Sequence, residues 1–401
     1  MIAISVQVNP ICIVMYGGGI TSYENAKRSI EKYGHENTEI WFADTRVEDQ
    51  DLYRFNNDVE RLLNKEIQVF TRYDKNGKEM DIWDVFYEQR MLGNSRLDPC
   101  SKYLKRVPLR KALDERFCQW KCTVCGTQSE TLREYVDVED IDNLQKKKGV
   151  CKTCMDTDKE YDKSVSIAIT NSEQLAKISA ELEAFNRSSA VLLKQMNERG
   201  ASKEERDEIF SKQGELVSER SRLKMSTLES WEEVDFRMVR VDENGRGVVV
   251  TLGMDNIEDC HRMNRARQYW IPYEVDFPLI DEPVVRKSLI RKDLAELGID
   301  IPRLYKEGFK HNNCGGFCVK AGMGQFAHLY KVNPRRYLEY ENKEQEFREF
   351  IGKDVSILRR VVKGEKINLT MRMLRHRIDA GDDFKFDVGE ACSCVNPIAP
   401  D

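Results

Sequence analysis

The chain has 401 residues, 40% apolar and 33% charged, with 64 Lys and Arg against 69 Asp and Glu for a net charge of −5. That length accommodates two or three domains with cores of their own. The charge balance leaves no global nucleic-acid footprint, although a local basic patch fits within it, and no stretch approaches the ~20 apolar residues of a membrane span.

Twelve cysteines follow an N-terminus that lacks a basic region and a long apolar run. This pattern predicts a cytoplasmic, reducing setting in which cysteine serves metal or redox chemistry. Ile11 to Val14 reads as a strand and Tyr23 to Tyr33 as a helix. Between them, Gly17, Gly18 and Gly19 bend the chain and let an anion approach the backbone, while Thr21 and Ser22 add hydroxyls where a helix dipole favours negative charge. A plain turn is the competing reading of a glycine triplet. Without a Gly-Lys-Ser/Thr ending the loop is not a Walker loop, and without a third glycine at the dinucleotide spacing it is not a Rossmann fingerprint.

Thr38 to Ala43 is a second strand, ending in Asp44-Thr45, a polar turn of the kind that binds ligands in open α/β sheets. Asp51 to Leu63 follows as a helix with Leu52, Phe55, Val59 and Leu62 at helical spacing. Ile67 to Phe70 is a third strand and Asp81 to Met91 a helix. The β-α-β-α-β order predicts a parallel sheet with right-handed crossovers. Cys100 then lies among Arg96, Lys102, Lys105 and Arg106. Such a cluster binds phosphate or sulfate and lowers a neighbouring thiol's pKa; a solvated basic helix start is the alternative.

Cys122, Cys125, Cys151 and Cys154 form two Cys-x-x-Cys pairs with 25 residues between them. The doubled spacing predicts a structural zinc ribbon rather than a redox pair. From Ser172 to Leu228, Leu175, Ile178, Leu182, Phe185, Leu192 and Met196 mark one apolar stripe, Gly200 breaks it, and Ser202 to Glu205 is a capping box. Ile209, Leu216, Leu223 and Leu228 continue the stripe, which predicts an antiparallel helical hairpin. It serves either as a structural arm or as a contact arm for a protein or nucleic acid.

Val248 to Asp255 reads as a buried strand, Glu258 to Arg267 as a short basic helix, and Ser288 to Leu297 as a helix. Further helices are expected from Val319 to Tyr330, Glu341 to Phe350 and Leu369 to Ile378, with His328 and His376 on helix surfaces. Cys314 and Cys318 flank a Gly-Gly turn, and Cys392 and Cys394 lie near the C-terminus. Cys100, Cys314, Cys318 and either Cys392 or Cys394 make a candidate four-thiolate site for an iron–sulfur cluster or a second zinc; free redox thiols are the remaining reading.

The core Gly18-Gly19-x-x-Ser22 resembles the PP-loop of the adenine nucleotide α-hydrolase superfamily, with Gly17 in place of its first serine and Thr21 where many members have aspartate. Cys100, Lys105, Pro108 and Leu109 resemble the Cys-x-x-x-x-Lys-x-x-Pro-Leu element of phosphoadenosine phosphosulfate reductases, with Ser101 where a second cysteine often stands. Phe42–Thr45, Gly93–Lys102 and Asn312–Gly322 are similar to motifs of compact reductase-like proteins. The resemblance covers roughly 10–112 and 246–395.

It implies an α/β fold with a doubly wound, mostly parallel sheet. The nucleotide-binding core would be 1–116 and 246–401, interrupted by the zinc ribbon at 117–160 and the hairpin at 161–245. It further implies ATP or phosphoadenosine phosphosulfate at the C-terminal sheet edge: phosphates on Gly17–Ser22, adenosine beside Asp44 and Thr45, and a further phosphate or sulfate on Arg96, Lys102 and Lys105. Glu390-Ala391-Cys392 is similar to the reductases' mobile tail nucleophile, so Cys100, Cys392 and Cys394 are the catalytic candidates.

Two chemistries follow from the resemblance. In a reductase, a thiolate attacks the sulfur of a sulfonucleotide, and a thiol carrier resolves the product to release sulfite. In a PP-loop sulfurtransferase, ATP adenylylates an acceptor, and sulfur from a donor displaces AMP, as in nucleic-acid thiolation and DNA phosphorothioation proteins. A non-catalytic nucleotide-binding interaction protein is the reading from another class.

Overall fold

The computed structural model describes residues 10–95, 97–129, 133–136, 147–199, 203–235, 238–254, 260–362 and 365–384. The chain divides into two compact units, one built from Phe117–Gly247 and the other from Val8–Arg116 together with Val248–Asp401.

The larger unit begins with β1 (Ile11–Tyr16), buried along its whole length, as an interior parallel strand must be. It continues through α1 (Ile20–Tyr33), β2 (Thr38–Asp44), α2 (Gln50–Leu63), β3 (Ile67–Thr71) and α3 (Ile82–Gln89). α1 starts directly after Gly19, earlier than the Tyr23 expected from sequence. Asp49 caps α2 and Asp81 makes a capping box on α3. A π-helical turn, Ser101–Arg106, then leads into α4 (Val107–Arg116). On β1, Cys12, Val14 and Tyr16 face the apolar side of α1 and α2, through Ile20, Tyr23, Leu52, Phe55 and Val59. α4 packs on β2 and β3, and its Arg116 pairs with Glu39, whose side chain alternates to the face opposite Ile40.

The smaller unit comprises β4 (Gln119–Cys122), β5 (Gln128–Ser129), β6 (Arg133–Val136), β7 (Lys147–Val150), α5 (Lys152–Thr157), α6 (Lys159–Arg199), α7 (Lys203–Asp235) and β8 (Met238–Val241). β4 pairs antiparallel with β5 and β8, and β6 with β7. α6 and α7 run antiparallel, joined from Asn171 to Ser226 and Ser230, from Ser179 to Arg220, and from Asn186 to Gln213. Leu175, Ile178, Leu182 and Leu216 form the seam, while Leu192, expected on it, is exposed. Both helices extend beyond the 172–228 read from sequence. Tyr161, Val165 and Ala168 of α6 and Val234 of α7 pack against Cys122, Cys151 and Cys154, so the base of the hairpin and the cysteine knuckles share one core.

The chain returns to the larger unit with β9 (Val248–Leu252), α8 (Cys260–Trp270) and β10 (Glu274–Asp276). The sheet order is β10-β9-β1-β2-β3, every pair parallel. Connections run outward from β1 in one direction through β2 and β3, and from β9 in the other. The topology therefore reverses between β1 and β9, which places a crevice outside the carboxyl end of β1.

The remaining elements are α9 (Lys287–Glu296), α10 (Arg303–Lys306), α11 (Met323–Val332), α12 (Pro334–Ile351), a hairpin of β11 (Leu358–Val362) and β12 (Glu365–Leu369), and α13 (Met371–Asp379). Residues 319–322 are not helical; α11 begins after Gly322, and Leu369 ends a strand before Thr370 caps α13. Trp83, Phe317, Phe326, Tyr337, Tyr340 and Phe347 anchor a second apolar cluster here. Among the described residues no helix is long and apolar enough to cross a membrane.

Candidate functional site

The glycine loop occupies the carboxyl end of β1. Gly18 has φ +76, and a Cβ on it would lie 2.6 Å from Leu52 Cδ1; one on Gly19 would lie 2.8 Å from the Tyr305 hydroxyl. Gly18 excludes a side chain, whereas at Gly19 the tyrosine tip would have to move. Gly19 is the N-cap of α1 and no side chain caps the helix, so the first turn keeps the unpaired N–H groups of a helix start. Ser22 Oγ accepts the Gly17 N–H at 3.1 Å, which commits that oxygen to the shape of the loop. Thr21 is half-buried beside it. From the far half of the sequence, Asn312 Nδ2 donates to the Gly18 carbonyl at 2.8 Å.

Asp44 is 1% exposed and already engaged. It accepts from the Arg46 N–H at 2.8 Å, the Arg46 guanidinium at 3.2 Å and the Tyr53 hydroxyl at 3.0 Å. Thr45 is buried and donates to Glu48 Oε1 at 2.8 Å. It lines a second feature, a cavity of about 10 Å³ shared with Cys100, Cys314, Cys318, Lys105 and Lys320, room for about one water-sized sphere. Three of the cysteines singled out in the sequence therefore converge on one cavity. Cys392, Cys394 and Arg96 lie outside the described residues.

The π turn divides the basic cluster. Its wider step buries Lys105 and Arg106 and leaves Lys102 exposed, with its ammonium 5.2 Å from the Tyr103 ring centroid. Arg106 lies 3.7 Å from Asp98 and over the Tyr269 ring. Lys105 Nζ is 3.5 Å from Glu48 Oε1, and Glu48 Oε2 accepts the Cys314 N–H. Cys314 has φ +52, followed by Gly315 at +56 and Gly316 at +84. A left-handed non-glycine residue costs about 1–2 kcal/mol. Arg336 helps hold this turn: it donates to the Val47 carbonyl and lies where a side chain on Gly315 would go.

The expectation that the basic cluster lowers the Cys100 thiol is not met. Burial pushes it up to about 12, Cys318 and Asp98 add to the rise, and Lys105 opposes it without prevailing. Burial also raises Cys314 and Cys318. For Lys105, burial favours the neutral amine, but the Glu48 carboxylate beside it holds the ammonium above its ordinary value. Sequence reasoning missed Glu48; its signal is an acid placed just after a strand-end Asp-Thr.

In the smaller unit Cys122, Cys125, Cys151 and Cys154 do come together, with all four sulfurs within 4.8 Å of one another. Cys122 Sγ lies 3.4 Å from Cys154 Sγ, and Cys125 Sγ 3.5 Å from Cys151 Sγ. A zinc tetrahedron with bonds of about 2.3 Å has sulfur edges of about 3.8 Å, so small adjustments accommodate the ion. Gly126, with φ +74, closes the first knuckle by donating to the Cys122 carbonyl at 2.9 Å. Cys151 is the N-cap of α5 and Cys154 lies in its first turn. This group can bind a metal such as zinc. Among the described residues it is the one set of cysteine, histidine and acidic side chains spaced for an ion; Cys100, Cys314 and Cys318 share a cavity without that spacing.

Compared with protein-family models, curated proteins and solved structures, the chain matches none.

Proposed function

We propose that this protein is an adenine nucleotide-dependent enzyme of sulfur chemistry, in keeping with its resemblance to the PP-loop and sulfonucleotide reductase families. Gly17–Ser22 take the phosphates, and Cys100, Cys314 and Cys318 handle sulfur. The observation that supports this reading is the Asn312–Gly18 hydrogen bond. It fastens the loop carrying Cys314 and Cys318 to the loop that would cradle the phosphates.

Of the two chemistries, nucleotide-dependent sulfur transfer is favoured over thiolate attack on a sulfonucleotide. The three thiols close around a cavity with room for about one water, and burial pushes the Cys100 thiol up to about 12, which disfavours direct attack by Cys100. Among the described residues these three thiols lack the spacing of a metal site, and no iron–sulfur cluster is assigned to them. In the favoured scheme an acceptor oxygen attacks the α-phosphorus of ATP and pyrophosphate leaves. A sulfur nucleophile then forms its bond to the activated centre as the oxygen–centre bond breaks and AMP departs. Lys105 sets a positive charge beside the thiols, and the α1 N-terminus holds the phosphates. Cys122, Cys125, Cys151 and Cys154 hold structural zinc.

The test is calorimetric titration with ATP and with phosphoadenosine phosphosulfate, followed by product analysis under anaerobic conditions with a thiol reductant and sulfide. Binding of ATP and release of pyrophosphate support the reading. Sulfite from the sulfonucleotide would replace transfer by reduction, and binding of neither nucleotide overturns the proposal.

A further inference from the structure

We propose that Glu48 is the positioning residue of the thiol cavity, holding Lys105 and the Cys314 turn in their places. Its side chain is 1% exposed. A carboxylate so deeply buried costs several kcal/mol unless it is paired and hydrogen-bonded, and here each oxygen has partners. Oε1 takes the Thr45 hydroxyl at 2.8 Å and faces the Lys105 ammonium at 3.5 Å; Oε2 takes the Cys314 N–H. These partners come from three separate segments: the end of β2, the π turn and the loop before α11.

Local structure does not account for the carboxylate. Asp49, not Glu48, caps α2, and an apolar side chain of the same length would fill the space. What Glu48 supplies is a counter-charge for Lys105 and an anchor for Cys314, whose left-handed backbone needs one. Without it, a buried cation would stand uncompensated beside Cys100, Cys314 and Cys318, and the Cys314 N–H would lose its acceptor. The 314–318 turn would then open, while the sheet, whose strands Glu48 does not join, would remain. The chemical purpose of the cavity rests on the sulfur-chemistry reading; the mechanical role of Glu48 does not.

The experiment measures native-state alkylation of each cysteine by iodoacetamide, read by peptide mass spectrometry, in the full chain treated with chelator. Melting temperature and circular dichroism are followed in parallel. Glu48→Gln keeps the shape and loses the charge. The expected result is at least a ten-fold faster modification of Cys314 and Cys318, with Cys12 still protected and the circular dichroism unchanged. Glu48→Asp should restore much of the protection. Adding Lys105→Met to Glu48→Gln should do so as well, because the unpaired charge goes with it.

Unchanged alkylation in Glu48→Gln, or no relief on adding Lys105→Met, overturns the proposal. If Glu48→Gln proves too unstable to read, Glu48→Asp decides: slower alkylation than in Glu48→Ala supports the role, and equal rates refute it. A parent protein that binds no nucleotide would sink the sulfur-chemistry reading and leave this result standing.

Discussion

The side-chain amide of Asn312 holds the carbonyl of Gly18 at 2.8 Å across 294 positions of sequence. Turned toward Asn312, the 18–19 peptide is fixed in orientation, so the loop need not reorganise when an anion arrives. Asn312→Ala leaves that buried carbonyl without its donor, a cost of about 1–3 kcal/mol. Nucleotide affinity should fall about ten-fold or more, as measured by calorimetric titration with ATP. Undiminished binding would mean that the loop holds its shape unaided.

The glycines differ in what they tolerate. Gly18 combines φ +76 with a fully buried Leu52 at its back, whereas Gly19 has φ −112 and meets only the tip of Tyr305. Gly18→Ala should therefore destabilise by about 2 kcal/mol or more, through strain and overpacking together. Gly19→Ala should cost less than that, because the tyrosine can swing aside. Urea unfolding of the two variants gives the order, and the reverse order would contradict the loop geometry. Gly18→Val should also abolish nucleotide binding.

Cys122→Ser should release about one zinc per chain and loosen the knuckles together with the base of the hairpin, since Tyr161, Val165 and Val234 share their core with the cysteines. The seam at Leu175, Ile178, Leu182 and Leu216 lies in a different cluster and should stay protected. Metal analysis and amide hydrogen exchange test both halves. Unchanged zinc content in Cys122→Ser and Cys151→Ser would reject the metal centre.

Glu344 is buried in α12 and accepts the N–H groups of Ile357 and Met371. Burial raises its carboxyl to about 7, against the pull of those two donors. The folded form thus holds its proton more tightly than the unfolded chain, whose glutamates titrate near 4.3. The resulting stability is complete below about pH 4 and is lost as pH rises through 7, a loss of about 4 kcal/mol by linkage. Glu344→Gln should remove this fall. Its stability relative to the parent should improve between pH 5 and pH 8 in thermal unfolding, and parallel curves would refute the assignment.

The parallel core was legible because β1, β2 and β9 are apolar runs bounded by turns, and the α2 stripe of Leu52, Phe55 and Val59 has one period. The cysteine knuckles were legible because thiol spacing constrains geometry directly. The β11–β12 hairpin was not, since Arg359, Arg360 and Asn368 interrupt its apolar residues and leave no clean alternation. Nor was the fate of Lys102 and Lys105. Counting on an ordinary helix cannot foresee a π turn, and that turn sends one outward and the other into the cavity. Cys100 misled through its neighbours: linear proximity to basic residues suggested a reactive thiolate, and burial reverses it. Glu48 was missed because its partners, Lys105 and Cys314, are distant in sequence, and its place just after Asp44-Thr45 does not reveal them.

The pairing of β4 with β8 sets Gln119 opposite Val241. Register partners in an antiparallel pair lie about 4.5–5.5 Å apart, so the long excursion begins and ends almost at one spot. Such a segment is a cassette. A short turn could close the gap where it is removed, and a lengthened or exchanged hairpin could be grafted there without rerouting any strand of the parallel sheet.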